Sequence, residues 1–237
     1  MHLSHSNYLP LSLPSFSILA GALLLLLLLI AIRALRHAYM SLGITARAAT
    51  LLLLASLLGS YVNIPVAQLP QEQVMAAREF DYFGMRYLMP VEVDWPGTIV
   101  AVNLGGAVIP MLLSLYLLVK RWLWVPSASV TAILAVSCAL LAQPVPGVGI
   151  TIPIFVPPAA AALTAVLVRR REAAPLAYLG GSMGTLIGAD LLNLDKAQGL
   201  AAPVISIGGA GTFDGIFVTG VLAVLIAGFA GRPARAV

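Results

Sequence analysis

Residues 23–36 read LLLLLLLIAIRALR, an unbroken apolar run closed by Arg33 and Arg36. A secretory signal carries its positive charges ahead of the apolar stretch. Here they follow it, so the segment reads as a retained first helix. The rest of the chain has the same character. Only 9% of the 237 residues are charged, against roughly 25% in soluble domains, and the mean hydropathy is +1.00. This is the composition of an all-α, polytopic membrane helix bundle, expected as a single transmembrane domain over residues 1–237. The basic pI near 9.5 then reports topology rather than a nucleic-acid partner; the expected partner is the lipid bilayer. Cys138 is the sole cysteine, so no intramolecular disulfide can form.

A spanning helix needs about 20 mostly apolar residues. Seven stretches qualify, roughly 15–35, 46–66, 97–119, 127–143, 151–168, 175–194 and 212–230. The basic residues alternate between the connections. Arg33, Arg36 and Arg47 flank the first link, Lys120 and Arg121 the third, Arg169, Arg170 and Arg171 the fifth, and Arg232 and Arg235 the tail. That leaves Arg78, Arg86 and Lys196 for the other side. The positive-inside rule gives an N-terminus outside and a C-terminus in the cytoplasm, in a multi-pass protein of the inner (cytoplasmic) membrane. The external loop over residues 68–95 is the largest extramembrane piece. Within it, Gln71 to Tyr87 reads as an interfacial amphipathic helix, with Phe80, Phe83 and Tyr87 at helical spacing.

On this map the intramembrane polar residues converge. Asn63 falls at the end of helix two, Asn103 about two turns into helix three, Asp190 and Asn193 in the last turns of helix six, and Asp214 in the first turn of helix seven. All lie in the outer third of the membrane. Residues 199–211 are apolar but broken by Pro203 and by Gly208-Gly209; they fit a re-entrant or interfacial segment. Irregular backbone at that depth must line protein or a wet cavity. An acid in such surroundings is costly and therefore points to function.

The residue inventory narrows the chemistry. His2, His5 and His37 lie outside the spans, so Ser182 has no histidine base, and no His-Glu-x-x-His helix is present. Two carboxylates remain, Asp190 and Asp214. Held about 3 Å apart they would share a proton and could hydrolyse a peptide by general acid–base catalysis, with neither metal nor cofactor. The positive N-terminus of helix seven would keep Asp214 ionised, leaving Asp190 as the protonated partner. Asn63, Asn103, Asn193, Gly209, Gly211 and Thr212 complete the candidate substrate- or ion-binding set. The substrate would be a transmembrane peptide, or a small molecule or ion.

The placing of the acids, one late in helix six and one early in helix seven, resembles the presenilin and signal-peptide-peptidase class of intramembrane aspartyl proteases. The Gly-x-Gly-Asp motif of that class is only partly kept: Phe213 occupies its second glycine position, Ala189 replaces the usual tyrosine, and no Pro-Ala-Leu segment follows. Over more of the chain, the strings GSYVNIPV (59–66), VNLGGAVIP (102–110), PVPGVGITIP (144–153), GADLLNL (188–194) and SIGGAGTFDGIF (206–217) resemble an uncharacterised family of bacterial and archaeal integral-membrane proteins, known only as a domain of unknown function. That resemblance supplies no activity. Three readings stay open: an intramembrane aspartyl hydrolase, an ion- or proton-coupled small-molecule transporter or channel using the same acid–amide cluster, and a structural or assembly role.

Overall fold

The computed structural model describes residues 13–70, 72–82, 85–145, 149–197, 203–209 and 215–230. Helices dominate, and seven α-helices occur among the described residues: α1 (Leu13–Ser41), α2 (Ala46–Gly59), α3 (Ile109–Arg121), α4 (Trp124–Leu141), α5 (Val156–Arg169), α6 (Ala173–Thr185) and α7 (Gly215–Ala230). A π-helical turn, Leu104–Val108, leads into α3. A second, Leu186–Asp190, followed by the 3-10 turn Leu191–Asn193, extends α6. Three segments, Ala20–Ser41, Leu104–Arg121 and Trp124–Leu141, are long and apolar enough to cross a bilayer, which points to a membrane protein. The leucines of the opening run remain largely exposed along α1, Leu24 at 72%. Such a surface is stable against lipid and unfavourable against water.

The centre of the bundle is α6, which packs against α3, α4, α5 and α7 and carries an almost continuous run of buried residues from Leu176 to Ser182. Its approach to α4 depends on Gly180, Gly184 and Gly188, four residues apart and so on one helix face. A methyl group at these positions would meet Val130, Leu134 and the backbone of Ala135 respectively. Small residues at this spacing let helix backbones come close where lipid offers no hydrophobic drive to association.

Strands gather at one end. β1 (Asn63–Gln68) pairs antiparallel with β4 (Ile99–Asn103), Asn63 opposite Asn103, and β4 pairs in parallel with β7 (Val204–Ile207). The order β1-β4-β7 leaves β1 and β7 at the sheet edges. Two separate hairpins accompany this sheet: β2 (Glu72–Tyr82) with β3 (Met85–Trp95), and β5 (Gln143–Val145) with β6 (Gly149–Thr151). At the opposite, basic end the Arg121 guanidinium donates to Glu172 at 3.1 Å and to the carbonyl oxygen of Leu42 at 3.0 Å. It thereby ties the α1–α2 and α5–α6 connections to the end of α3.

Three sequence expectations are corrected here. The second helix ends at Gly59 and does not reach residue 66, because Val62, Ile64 and Pro65 favour extended backbone, proline also restricting the residue before it. The third helix begins at Leu104 rather than near 97, since Ile99, Val100 and Val102 are β-formers that pair with β1 and β7. Of the stretch from Gln71 to Tyr87, expected as an amphipathic helix, residues 72–82 form β2 and Met85 onward β3, with Phe80 opposite Tyr87; cross-strand pairing outweighs the helical spacing of the aromatics, and Gln71 and Phe83 lie outside the described residues. Of the expected re-entrant segment 199–211, residues 203–209 are described. They contain β7, and the remainder lies outside the described residues.

Candidate functional site at the sheet end

The junction of β4 with its π turn is held by one side chain. Asn103 is the last residue of β4 and the N-cap of the turn, with extended backbone (φ −77°, ψ 130°), and its Oδ1 accepts from the Gly106 amide at 2.8 Å. This satisfies one of the unpaired donors at a helix start. Its Nδ2 donates to the Ser60 carbonyl at 2.7 Å and to Asn63 Oδ1 at 3.0 Å. Asn103 is therefore a capping residue, 1% exposed, and not a side chain two turns inside a helix. Asn63 Oδ1 also accepts from the Ser206 hydroxyl at 2.6 Å. One amide pair thus joins the end of α2, β1, β4 and β7.

The acid of α6 faces the same sheet. Asp190 closes the π turn after α6, half-buried, and its Oδ2 accepts from the Gly208 amide at 3.1 Å. Gly208 directly follows β7 and has a left-handed φ of +74°, a conformation glycine adopts without the steric cost of a Cβ. A Cβ at Gly208 would press on Ala107, and one at Gly209 would collide with the Ser206 side chain. The close seating of β7 on the π turn therefore requires these glycines.

Asn193 belongs to a neighbouring network. It is 1% exposed; its Nδ2 donates to the Gly188 carbonyl at 2.7 Å, and its Oδ1 accepts from Lys196 Nζ at 2.7 Å. This closes the end of the sixth helix with a hydrogen bond to its own backbone.

Asn63, Asn103, Asp190 and Gly209 thus come together around β7, with Asn193 three residues further along the chain. Gly211, Thr212 and Asp214 lie outside the described residues. Sequence reasoning named Gly208 only as a break in the apolar segment and gave no site role to Ser206 or Lys196. The signal for Ser206 and Gly208 was the string SIGGAG, in which both stand; the signal for Lys196 was its isolation as a cation on the sparsely basic side. Among the described residues, no group of three or more His, Cys, Asp or Glu is placed to hold a metal ion.

The profile of the family described as Protein of unknown function (DUF1614) matches residues 57–226. The chain belongs to this family. The match begins near the end of α2 and runs into α7, so it takes in every element that builds the sheet end. No curated protein and no solved structure matches the chain.

Proposed function

We propose that the sheet end is the working end of a seven-span protein of the inner membrane, and that Asp190 and Asp214 act there as the acid pair of an intramembrane hydrolase. The observation that carries the reading is the Asp190 carboxylate at the Gly208 amide, beside β7, an edge strand. Extended peptides bind by adding to exposed sheet edges, so a transmembrane peptide unwound at this end would lie across the acid. Asp214 immediately precedes Gly215, the first residue of α7. α6 and α7 lie close: a methyl at Gly181 would stand 3.3 Å from the Thr219 carbonyl. The chemistry needs one carboxylate to take a proton from water, whose oxygen attacks the peptide carbonyl, while the other carboxylic acid protonates the carbonyl oxygen.

The outward orientation of this end follows from the charges. Lys120, Arg121 and Arg169 to Arg171 stand at the opposite end, which the positive-inside rule assigns to the cytoplasm. The test is cleavage of a transmembrane peptide by purified protein, comparing wild type with Asp190→Ala and Asp214→Ala. Loss of turnover in both variants is expected, and equal turnover in all three ends the hydrolase reading.

A second reading draws on the hydrogen-bonded cluster of Asn63, Asn103 and Ser206 beside the acid. Acid and amide groups at broken helix ends are how ion- and proton-coupled carriers hold their ligands. Substrate flux that changes with Asp214→Asn, without peptide cleavage, would favour it.

A further inference from the structure

α1 and α2 leave a groove between them that the rest of the bundle does not fill. α1 lines it with Leu28, Ile32 and Leu35, and α2 with Leu53 and Leu57. Residues three or four apart share a helix face, so each wall is one apolar stripe. The cavity measures about 280 Å³ and is almost wholly apolar. It ends against Ser60 and the Gly105-Gly106 backbone of the π turn, where Asn103 holds the Ser60 carbonyl and the Gly106 amide.

The other end of the groove is polar. Arg36 and Thr50 line it, five residues before the end of α1 and four after the start of α2. Both therefore stand at one level, about 6–8 Å in from the basic end. Arg47 lies one turn nearer that end on the Thr50 face of α2. Both arginines are exposed, and neither has an ion-pair partner among the described residues.

These dimensions select the occupant. Leu28 and Arg36 are about 12 Å apart along α1, and spread over that length about 280 Å³ gives a passage about 5 Å across. An α-helix, about 10–12 Å across, does not fit. An extended peptide would bring its amides and carbonyls against apolar walls that offer them no partners. A hydrocarbon chain is narrow enough and has no polar group to satisfy. One leaflet of a bilayer is about 15 Å deep in hydrocarbon, so the groove takes most of one acyl chain. Two unpaired arginines at its mouth complement a phosphate and favour a headgroup of net negative charge. We propose that the α1–α2 groove binds one acyl chain of an anionic phospholipid from the leaflet at the basic end, with the phosphate at Arg36 and Arg47. The tip of the chain lies against the Gly105-Gly106 turn, so the bound lipid seals α1 to the bundle behind the sheet end. The site uses neither Asp190 nor Asp214 and stands whether or not the protein cleaves peptides.

The test is native mass spectrometry of the full chain, purified in detergent and titrated with dioleoyl phosphatidylglycerol or dioleoyl phosphatidylethanolamine. Wild type should bind its first phosphatidylglycerol about tenfold more tightly than its first phosphatidylethanolamine. Arg36→Gln combined with Arg47→Gln removes both charges at exposed positions and leaves the groove open, so this preference should vanish. Ala31→Trp fills the groove from α1, because Ala31 lines it and is exposed; both lipids should then bind about tenfold more weakly. Melting in lipid-free detergent establishes that each variant is folded. Three results overturn the inference: equal affinity of wild type for the two lipids, an undiminished preference in the folded double variant, or wild-type phosphatidylglycerol affinity in folded Ala31→Trp. If that last variant keeps its lipid and loses peptide cleavage, the groove belongs to the substrate instead. Cleavage by Asp190→Ala reads the hydrolase proposal separately, so either idea can fail alone.

Discussion

Asn103 uses every polar atom of its amide on the protein itself, and this separates it from the residues around it. Replacing it with alanine removes the buried cap on the Gly106 amide and leaves the half-buried Ser60 carbonyl without this donor. The expected loss is on the order of 3 kcal/mol, combining a lost cap with an unsatisfied buried group. Asn63→Ala should cost about 1 kcal/mol, since Asn63 is exposed and Ser206 can turn to another partner. Thermal unfolding of both variants in detergent checks the order, and equal costs would mean that Asn103 does not tie these segments. The gathering of Asn63, Asn103 and Asp190 at one end was legible from sequence, because each lies where an apolar run breaks. What the two amides bond to was not legible. A lone asparagine does not disclose that its partners are a carbonyl and an amide some 40 positions away, and only the pairing of β1 with β4 brings them together.

The helices could be read from windows of about 20 apolar residues, while the strands could not. β1 begins inside the window 46–66 and β4 lies inside 97–119, so such windows absorb them, while β7 falls in the broken segment 199–211; only Pro65 and the β-branched residues mark the difference. The glycines of α6 show the same limit, since their spacing announces a close helix contact without naming its partner. The structure names α4, which supports a sharp comparison. Gly188→Ala places a methyl against the Ala135 backbone, which cannot rotate away, whereas the same change at Gly21 meets nothing within 4 Å. The first should destabilise by about 1–3 kcal/mol. The second should be neutral or slightly stabilising, because alanine favours a helix by about 1 kcal/mol over glycine. Similar melting temperatures for the two variants would contradict close packing of α6 on α4. The β2–β3 hairpin can be tested by chemistry. Arg78 and Met89 are directly paired across it, but on a helix their eleven-residue separation would place them about 16 Å apart. With Cys138 replaced by alanine, Arg78→Cys with Met89→Cys should form a disulfide under mild oxidation, read by thiol counting. Persistent free thiols would return this segment to the helical reading.

At the scale of the whole molecule the basic side chains at the ends of α3 and α5 stand together at the end of the bundle opposite the sheet. The helices alternate between an end where Arg121 holds Leu42 and Glu172 and an end where Asp190 holds Gly208. The same alternation was visible in the basic residues alone, because positive charge is retained on the cytoplasmic side during insertion whatever the local secondary structure proves to be. That is why the order of the helices could be read even though several of their limits could not. It also makes the orientation directly measurable. Lys120 lies at the basic end and Leu88, 69% exposed, on the projecting hairpin. In intact cells a membrane-impermeant thiol reagent should label Leu88→Cys, and should reach Lys120→Cys only after permeabilisation. The native Cys138 is buried and should stay silent in both. The reverse pattern would turn the molecule over and place the Asp190 site at the cytoplasmic face. If the proposed hydrolase acts there, a released peptide would enter the cell rather than leave it. The labelling result therefore fixes the compartment that the Asp190 site faces, and with it the side from which the proposed substrate would come.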